Sequence, residues 1–323
     1  MNSNYSTIHV GDSGIKISRL GMGCWAMGGH GWGKVDDKES YTAVQKSLEN
    51  GVNFFDTSDV YGLGRSEELL SEFLGKKRHS VVIATKGGVR AENGKIIKDC
   101  SPVYLRKAVE KSLNRLRIDS IPIFYVHKPD DVTPIKSMME CLVSLKEEGK
   151  IQAIGLSNFS SKQILEACNF GPVDIVQAQW NLLYPETNSD IINICKTRKI
   201  PFVAWGVLAD GLLTGKFSKS TTFTEDDHRS RALHFIGKEY EYNLDCVDRL
   251  ADYADENGWL LGQVALRWVL DKMENACALF GARNAEQVSQ NIGAFHFKIT
   301  DDLMKKIDLI TSKKNNNAIF NDF

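Results

Sequence analysis

Eight short runs rich in β-branched, aromatic and small apolar residues punctuate this 323-residue chain, with longer stretches between them. They read RLGMGCW (19–25), VNFFDTS (52–58), SVVIATK (80–86), IPIFYVH (121–127), IQAIGLS (151–157), VDIVQAQ (173–179), IPFVAWG (200–206) and ACALFGA (276–282). Runs of this length and composition predict buried strands. The intervening stretches, such as SPVYLRKAVEKSLNRLR, carry helical period; there Val103, Leu105, Val109, Leu113 and Leu116 fall near one face. Strands joined by crossover helices run parallel, and eight such units predict an α/β fold, the (β/α)8 barrel of TIM type.

No Gly-, Ser- or Pro-rich linker cuts the pattern, so residues 1–323 read as one domain. Two segments stand outside the rhythm. KFSKSTTFTEDDHRSRALHF (216–235) is a long polar loop after the seventh strand, and EYEYNLDCVDRLADYADENG (239–258) reads as an extra helix. A closing helix is expected over 298–312. In the tail KKNNNAIFNDF the asparagines favour disorder and the two phenylalanines favour packing.

With 42% hydrophobic and 25% charged residues and a net charge of -1, the chain has no bulk attraction for nucleic acid or an anionic membrane. A small molecule is the expected partner. The seven cysteines are scattered, odd in number and without a C-x-x-C, which fits reduced thiols and a cytoplasmic location. No apolar run approaches the roughly 20 residues of a membrane helix. No metal is expected.

In such a barrel the carboxyl ends of the strands converge on one face, where active sites of this fold are built. Asp56 and Tyr61 follow strand two, Lys86 ends strand three and His127 ends strand four. Ser157 and Asn158 follow strand five, and Gln177 lies in strand six. An acid, a phenol, an amine and an imidazole gathered together suit proton transfer to an oxygen. A nearby ammonium favours a phenolate, so Lys86 would tune Tyr61, Asp56 would hold Lys86, and His127 would bond the reacting oxygen or relay a proton. A second reading stands beside this one, in which Asp56 and Lys86 only staple two strands, Tyr61 is a rim aromatic and His127 a satisfied core residue.

These residues resemble the aldo-keto reductase superfamily, and the resemblance covers nearly the whole chain. NFFDTSDVYG (53–62) is similar to the signature carrying the family's catalytic aspartate and tyrosine, and Lys86 and His127 fall where it places its lysine and histidine. The resemblance implies an NADPH (NADP) cofactor lying extended across the barrel mouth, not in a Rossmann fold, for which no G-x-G-x-x-G follows a strand. It implies nicotinamide carboxamide contacts from Ser157, Asn158 and Gln177, with Asp56 also in the cofactor site and Trp205 stacking where the family often has tyrosine. The first strand loop would add Gly23, Cys24 and Trp25 to the cofactor site, and Trp25 and Trp32, with Tyr61 and His127, to the substrate pocket. His30 in that loop is read as solvated. Leu208, Gly211, Leu213 and Lys216 would line the pyrophosphate, with Arg229 folding over it. Gly281, Arg283, Gln287 and Asn291 would hold the adenosine end, Arg283 reading the 2′-phosphate; many family members have arginine in place of Gln287.

The activity so implied is reduction of an aldehyde or ketone, a sugar or secondary-metabolite carbonyl among them, with hydride from the nicotinamide and a proton from Tyr61. Two alternatives stand with it. One is a nicotinamide-binding regulatory or redox-sensing subunit of the same fold, and the other is a sugar or alcohol dehydrogenase working in the oxidative direction.

Overall fold

The computed structural model describes residues 6–29, 31–33, 35–92 and 95–311. His30 and the tail from residue 312 onward lie outside these. The chain opens on an antiparallel hairpin, β1 (Thr7–His9) with β2 (Lys16–Ser18). Then come β3 (Leu20–Gly23), β4 (Phe54–Asp56) and β5 (Val82–Gly87), followed by a second hairpin of β6 (Val89–Glu92) and β7 (Lys95–Lys98). The remaining strands are β8 (Ile121–Val126), β9 (Ile151–Ser157), β10 (Ile175–Gln179), β11 (Phe202–Trp205) and β12 (Ala276–Gly281). All strands except the two hairpins pair in parallel and close in the order β10-β11-β12-β3-β4-β5-β8-β9. The eight sequence runs are thus the eight barrel strands.

Around the barrel lie α1 (Asp37–Glu49), α2 (Arg65–Leu74), α3 (Pro102–Leu116), α4 (Ile135–Glu147), α5 (Ser161–Ala167) and α6 (Ser189–Arg198). The extra helix is α7 (Gly237–Glu256), and α8 (Leu261–Lys272), α9 (Ala285–Ile292) and the closing α10 (Asp301–Thr311) complete the chain. Their starts follow local chemistry: Ser101 caps α3 ahead of Pro102, and Ser160 with Gln163 forms a capping box on α5. The apolar face of α3 packs inward as the spacing predicts, apart from Val103, which is 81% exposed. It sits in the first turn, beyond the reach of the barrel wall.

Apolar burial falls into two layers. Between strands and helices lies a continuous shell that includes Phe55, Phe124, Leu142 and Trp268. Inside the barrel, Phe54, Tyr125, Ile175, Val203 and Leu279 fill the axis, and Ile8, Val10 and Ile17 of the amino-terminal hairpin plug the bottom. Gly155 is required by this filling, because a Cβ there would enter the Tyr125 ring. The barrel axis is therefore filled from the bottom up, and a cleft lined by polar residues opens at the strand carboxyl ends.

The long polar loop is ordered around a nucleus of its own. Phe217, Phe223 and Phe235 meet edge to face, with ring centroids 4.9–5.4 Å apart. Tyr240 of α7 donates from its hydroxyl to the Ser218 carbonyl at 2.8 Å.

Candidate active site

The strand ends are extended by main-chain bonds that fix the polar residues just beyond them. Thr57 donates its amide to the Ala84 carbonyl at 2.8 Å, Asp59 to Lys86 at 3.2 Å, and His127 to Gly87 at 2.7 Å. Asp56, Lys86 and His127 are thereby presented side by side from β4, β5 and the end of β8. Tyr61 is brought over them by a tight turn in which Gly62 lies against Gly28; a Cβ on Gly62 would collide with the Gly28 carbonyl. Leu63, in the same turn, holds a left-handed φ of 57°.

The Lys86 ammonium is the hub. It donates to Asp56 Oδ1 at 2.5 Å and to the Thr57 carbonyl at 2.9 Å, and it lies 3.5 Å from the Tyr61 hydroxyl. Lys86 is 1% exposed, so this charge acts with little screening by water. Gln177 donates its amide to Asp56 Oδ2 at 2.8 Å, which engages both carboxylate oxygens. The Gln177 nitrogen is thus committed to the Asp56–Lys86 pair. The ring of His127 stands edge-on to Tyr61 at 5.9 Å. Burial, reinforced by the charges of Lys86 and Lys128, holds the His127 pKa well below the usual imidazole range, so the ring is neutral.

A cleft of about 630 Å³ opens above these groups, a size suited to small-molecule ligands. Asp56, Tyr61, His127, Ser157, Asn158 and Gln177 lie along it with Gly23, Trp25, Trp32 and Trp205. Its other end carries Leu208, Gly211, Lys216, Arg229, Gly281, Arg283, Gln287 and Asn291. Three expected residues are not in the lining. Lys86 lies beneath the floor. Cys24 is fully buried, with its thiol pushed far up by burial, and its carbonyl accepts from Ser66. Leu213 is fully buried under the loop.

The cations cluster at one end and the neutral amides at the other, which suits an extended ligand with phosphates and an uncharged carboxamide. A nicotinamide dinucleotide fits this donor set. Trp205 donates from its indole nitrogen to Asn158 Oδ1 at 3.1 Å, while the Asn158 amide donates to the His127 carbonyl and to Ser157 Oγ, each at 3.0 Å. Gln287 accepts the Arg283 amide at 2.8 Å, and Asn291 donates to the Gly281 carbonyl at 3.3 Å. Both therefore shape the loop before α9 as well as facing the cleft. The positive charges of Lys216, Arg229 and Arg283 lie close enough to lower the pKa of Lys216 and Arg283, after the larger effect of burial.

The long loop crosses this groove. Asp227 and Trp32 form an antiparallel bridge, the His228 amide donates to the Gly31 carbonyl at 2.9 Å, and the Arg283 guanidinium donates to the Trp32 carbonyl at 2.8 Å. Arg229 is held by both oxygens of Asp227, at 2.9 and 2.5 Å. Asp210, at a left-handed φ of 54°, lies 3.4 Å from His228 Nε2 and 3.1 Å from His234 Nε2. Asp210, Asp227, His228 and His234 carry no motif in the sequence. Their pairing depends on a loop path that local spacing does not encode.

Known proteins resemble this chain over nearly its whole length. The model of the Aldo/keto reductase family matches residues 19–311. The chain is 35% identical to aldo-keto reductase YhdN of Bacillus subtilis over 282 residues, covering 86% of this chain and 85% of that protein. It is 30% identical to aldo-keto reductase yakc [NADP(+)] of Schizosaccharomyces pombe over 299 residues, 90% of this chain and 87% of that one. Among solved structures, the glycerol dehydrogenase AKR11B4 from Gluconobacter oxydans superposes with a TM-score of 0.89 at 36% identity, covering 100% of this chain and 99% of that one. A match that runs through every barrel strand at these identities leaves no other assignment: the chain belongs to the aldo/keto reductase family and is an NAD(P)H-dependent oxidoreductase.

Proposed function

We propose that the chain is an NADPH-dependent reductase that converts an aldehyde or ketone to the alcohol, taking the proton from Tyr61. The observation that carries this reading is the Lys86 ammonium, buried and held by Asp56, 3.5 Å from a tyrosine hydroxyl at the floor of the cleft. When bound, the cofactor supplies the hydride. Tyr61 gives its proton to the oxygen as that oxygen gains negative charge, and Lys86 stabilises the phenolate left behind. Asp56 and Gln177 keep Lys86 from moving. His127, being neutral, meets the reacting oxygen as a hydrogen-bond partner and not as a charge. Asn158, Ser157 and Gln177 would hold the carboxamide, with Trp205 against the ring; Lys216 and Arg229 would meet the pyrophosphate and Arg283 a 2′-phosphate.

The substrate end is walled by Trp25 and Trp32, whose rings meet at 5.1 Å, and Trp25 stacks toward Tyr61 at 6.1 Å. The Arg229 and Arg283 guanidinium groups lie 5.5 and 5.8 Å from the Trp32 ring, and His228 packs against both indoles, so this aromatic wall runs into the cationic groove while its Trp25–Tyr61 side meets the carbonyl compound. A second reading, oxidation of a polyol or other alcohol by NADP⁺, is favoured by the likeness to a structure described as a glycerol dehydrogenase. Steady-state rates with NADPH and a panel of aldehydes and ketones, set against rates with NADP⁺ and polyols, test both. Turnover with neither panel would overturn the proposal.

A further inference from the structure

Behind His127, on the side away from the cleft, the structure holds a chain of polar groups that the mechanism above does not use. His127 Nδ1 lies 3.2 Å from Ser58 Oγ, and Ser58 Oγ lies 3.3 Å from Asp59 Oδ1. Ser58 is fully buried. Asp59 Oδ2 accepts from the Tyr104 hydroxyl at 3.1 Å, and Tyr104 also reaches the Val89 carbonyl at 3.1 Å. The Val60 amide points at Ser58 Oγ from 3.4 Å.

A hydroxyl has one proton to donate and two lone pairs. With Val60 on one lone pair, Ser58 donates to one of its two remaining neighbours and accepts from the other. If the Asp59 carboxyl is ionised, Ser58 donates to it, and His127 must donate from Nδ1 to Ser58; Nε2 then faces the cleft bare. If the carboxyl is protonated while Tyr104 still donates to Oδ2, its proton is on Oδ1 and donates to Ser58, Ser58 donates to Nδ1, and the ring proton sits on Nε2. Because the ring is neutral, it carries one proton, and only its location is at issue.

We propose that Asp59 is a positioning residue that acts through Ser58 to set the tautomer of His127, and thereby whether the ring donates to a carbonyl or accepts from an alcohol. The protonated form leaves the ring an Nε2–H to donate to the reacting oxygen, and the ionised form withdraws that donor. The proton count closes: one proton leaves at Nε2, the Asp59 proton passes to Ser58, and the Ser58 proton passes to Nδ1. The inference rests on the reading that His127 faces the reacting oxygen.

The surroundings of Asp59 make both states accessible. Burial first, and then the carboxylate of Glu67 on α2, push Asp59 up to about 7, against the Tyr104 hydrogen bond, the charge of Arg115 on α3 and the Ser58 hydrogen bond. Glu67 is itself buried and engaged by Arg115 at 2.6 Å and by Thr85 at 2.5 Å. Arg90 and Asp99, at the second hairpin, face Tyr104. Lys86 and Lys128 face His127 from β5 and from the loop after β8.

The test is the nitrogen chemical shifts of His127 in histidine-labelled full-length protein, assigned by their loss in His127→Gln. The wild type is expected to show the Nε2–H form at about pH 6 and the Nδ1–H form at about pH 8.5, since a proton lost near neutrality separates them. Asp59→Asn and Ser58→Ala should each abolish the change. In Asp59→Asn the ring should stay in the Nε2–H form, and kcat/KM for carbonyl reduction at about pH 8.5 should exceed the wild-type value at that pH about tenfold, the worth of one good hydrogen bond to the reacting oxygen, with alcohol oxidation rising equally. A single tautomer at every pH in the wild type, or a pH-dependent change that survives Ser58→Ala, overturns the proposal. The shifts are read without turnover, so absence of carbonyl reduction would count against the proposed function and leave this inference standing.

Discussion

The Arg283 guanidinium donates to the main-chain carbonyl of Trp32 at 2.8 Å, which ties the loop after the last barrel strand to the loop after the first. The same side chain is the cation proposed to meet a 2′-phosphate. Charged hydrogen bonds contribute roughly 1.5–3 kcal/mol, so Arg283→Ala should weaken NADPH binding by about ten- to a hundredfold. NADH, which keeps only the loop contact, should lose a few-fold at most. Dissociation constants for both cofactors decide it, and equal losses would remove Arg283 as the discriminator.

The Trp205 indole donates to Asn158 Oδ1 at 3.1 Å, which joins the end of β11 to the residue after β9. Trp205→Phe keeps an aromatic face but frees the Asn158 side-chain oxygen. Loss of one neutral hydrogen bond predicts roughly two- to tenfold weaker NADPH binding. A fragment without nicotinamide, such as 2′,5′-ADP, should bind as before. If the fragment weakens equally, Trp205 acts on the whole groove and not on the carboxamide.

The Asp210 contacts make the loop closure depend on pH. Burial opposes charge on His228, but the hydrogen bond and charge of Asp210, with the Gly31 carbonyl, raise its pKa above the usual imidazole value. Burial likewise opposes charge on Asp210, and the bonds from His228 and His234 outweigh it, lowering its pKa. A raised histidine stabilises below its unfolded pKa and loses that contribution as pH rises through the folded one. A depressed carboxylate does the reverse in acid. The clasp should thus be tightest between about pH 4 and about pH 6.5 and loosen above. Amide exchange over residues 224–235, corrected for its intrinsic pH dependence, should rise several-fold from about pH 6 to about pH 8.5. In His228→Gln that rise should vanish; an unchanged rise would place the switch elsewhere.

Lys86→Met should abolish turnover and also destabilise the fold, because it takes the cation from a buried Asp56 and leaves it the neutral amide of Gln177. Breaking a buried pair from one side costs about 3–5 kcal/mol. Adding Asp56→Asn should recover most of that stability and none of the activity. A single variant as stable as wild type would mean that the pair is not the anchor of the floor.

The fold was legible because each barrel strand is buried on both faces and therefore reads as a short apolar run such as IPIFYV, whatever surrounds it. Asp56, Tyr61, Lys86 and His127 were legible for a related reason, since in a barrel the position just after a strand fixes where a side chain goes. Ser58 and Asp59 lie within the same quoted stretch as Asp56 and Tyr61, yet they read as turn formers; their meaning comes from His127 and Tyr104, which are 69 and 45 residues away. The two hairpins went unread because the count of alternating runs has no place for them, although VRAENGKIIK carries an Asn-Gly pair between its strand-like halves. Cys24 sits beside residues that line the cleft, and only the direction of its side chain, toward the shell behind β3, takes it out of the site.

The central claim is that Tyr61 is the proton donor, and Tyr61→Phe tests it with one atom removed. Carbonyl reduction by this variant, measured as kcat/KM with NADPH at neutral pH, should fall by about 10²–10⁴-fold, the usual cost of losing general acid catalysis. The NADPH dissociation constant should stay within about twofold, since the tyrosine hydroxyl is bonded toward Lys86 and the floor. Reduction within a few-fold of wild type, with cofactor binding intact, would contradict the account and assign the proton to another group.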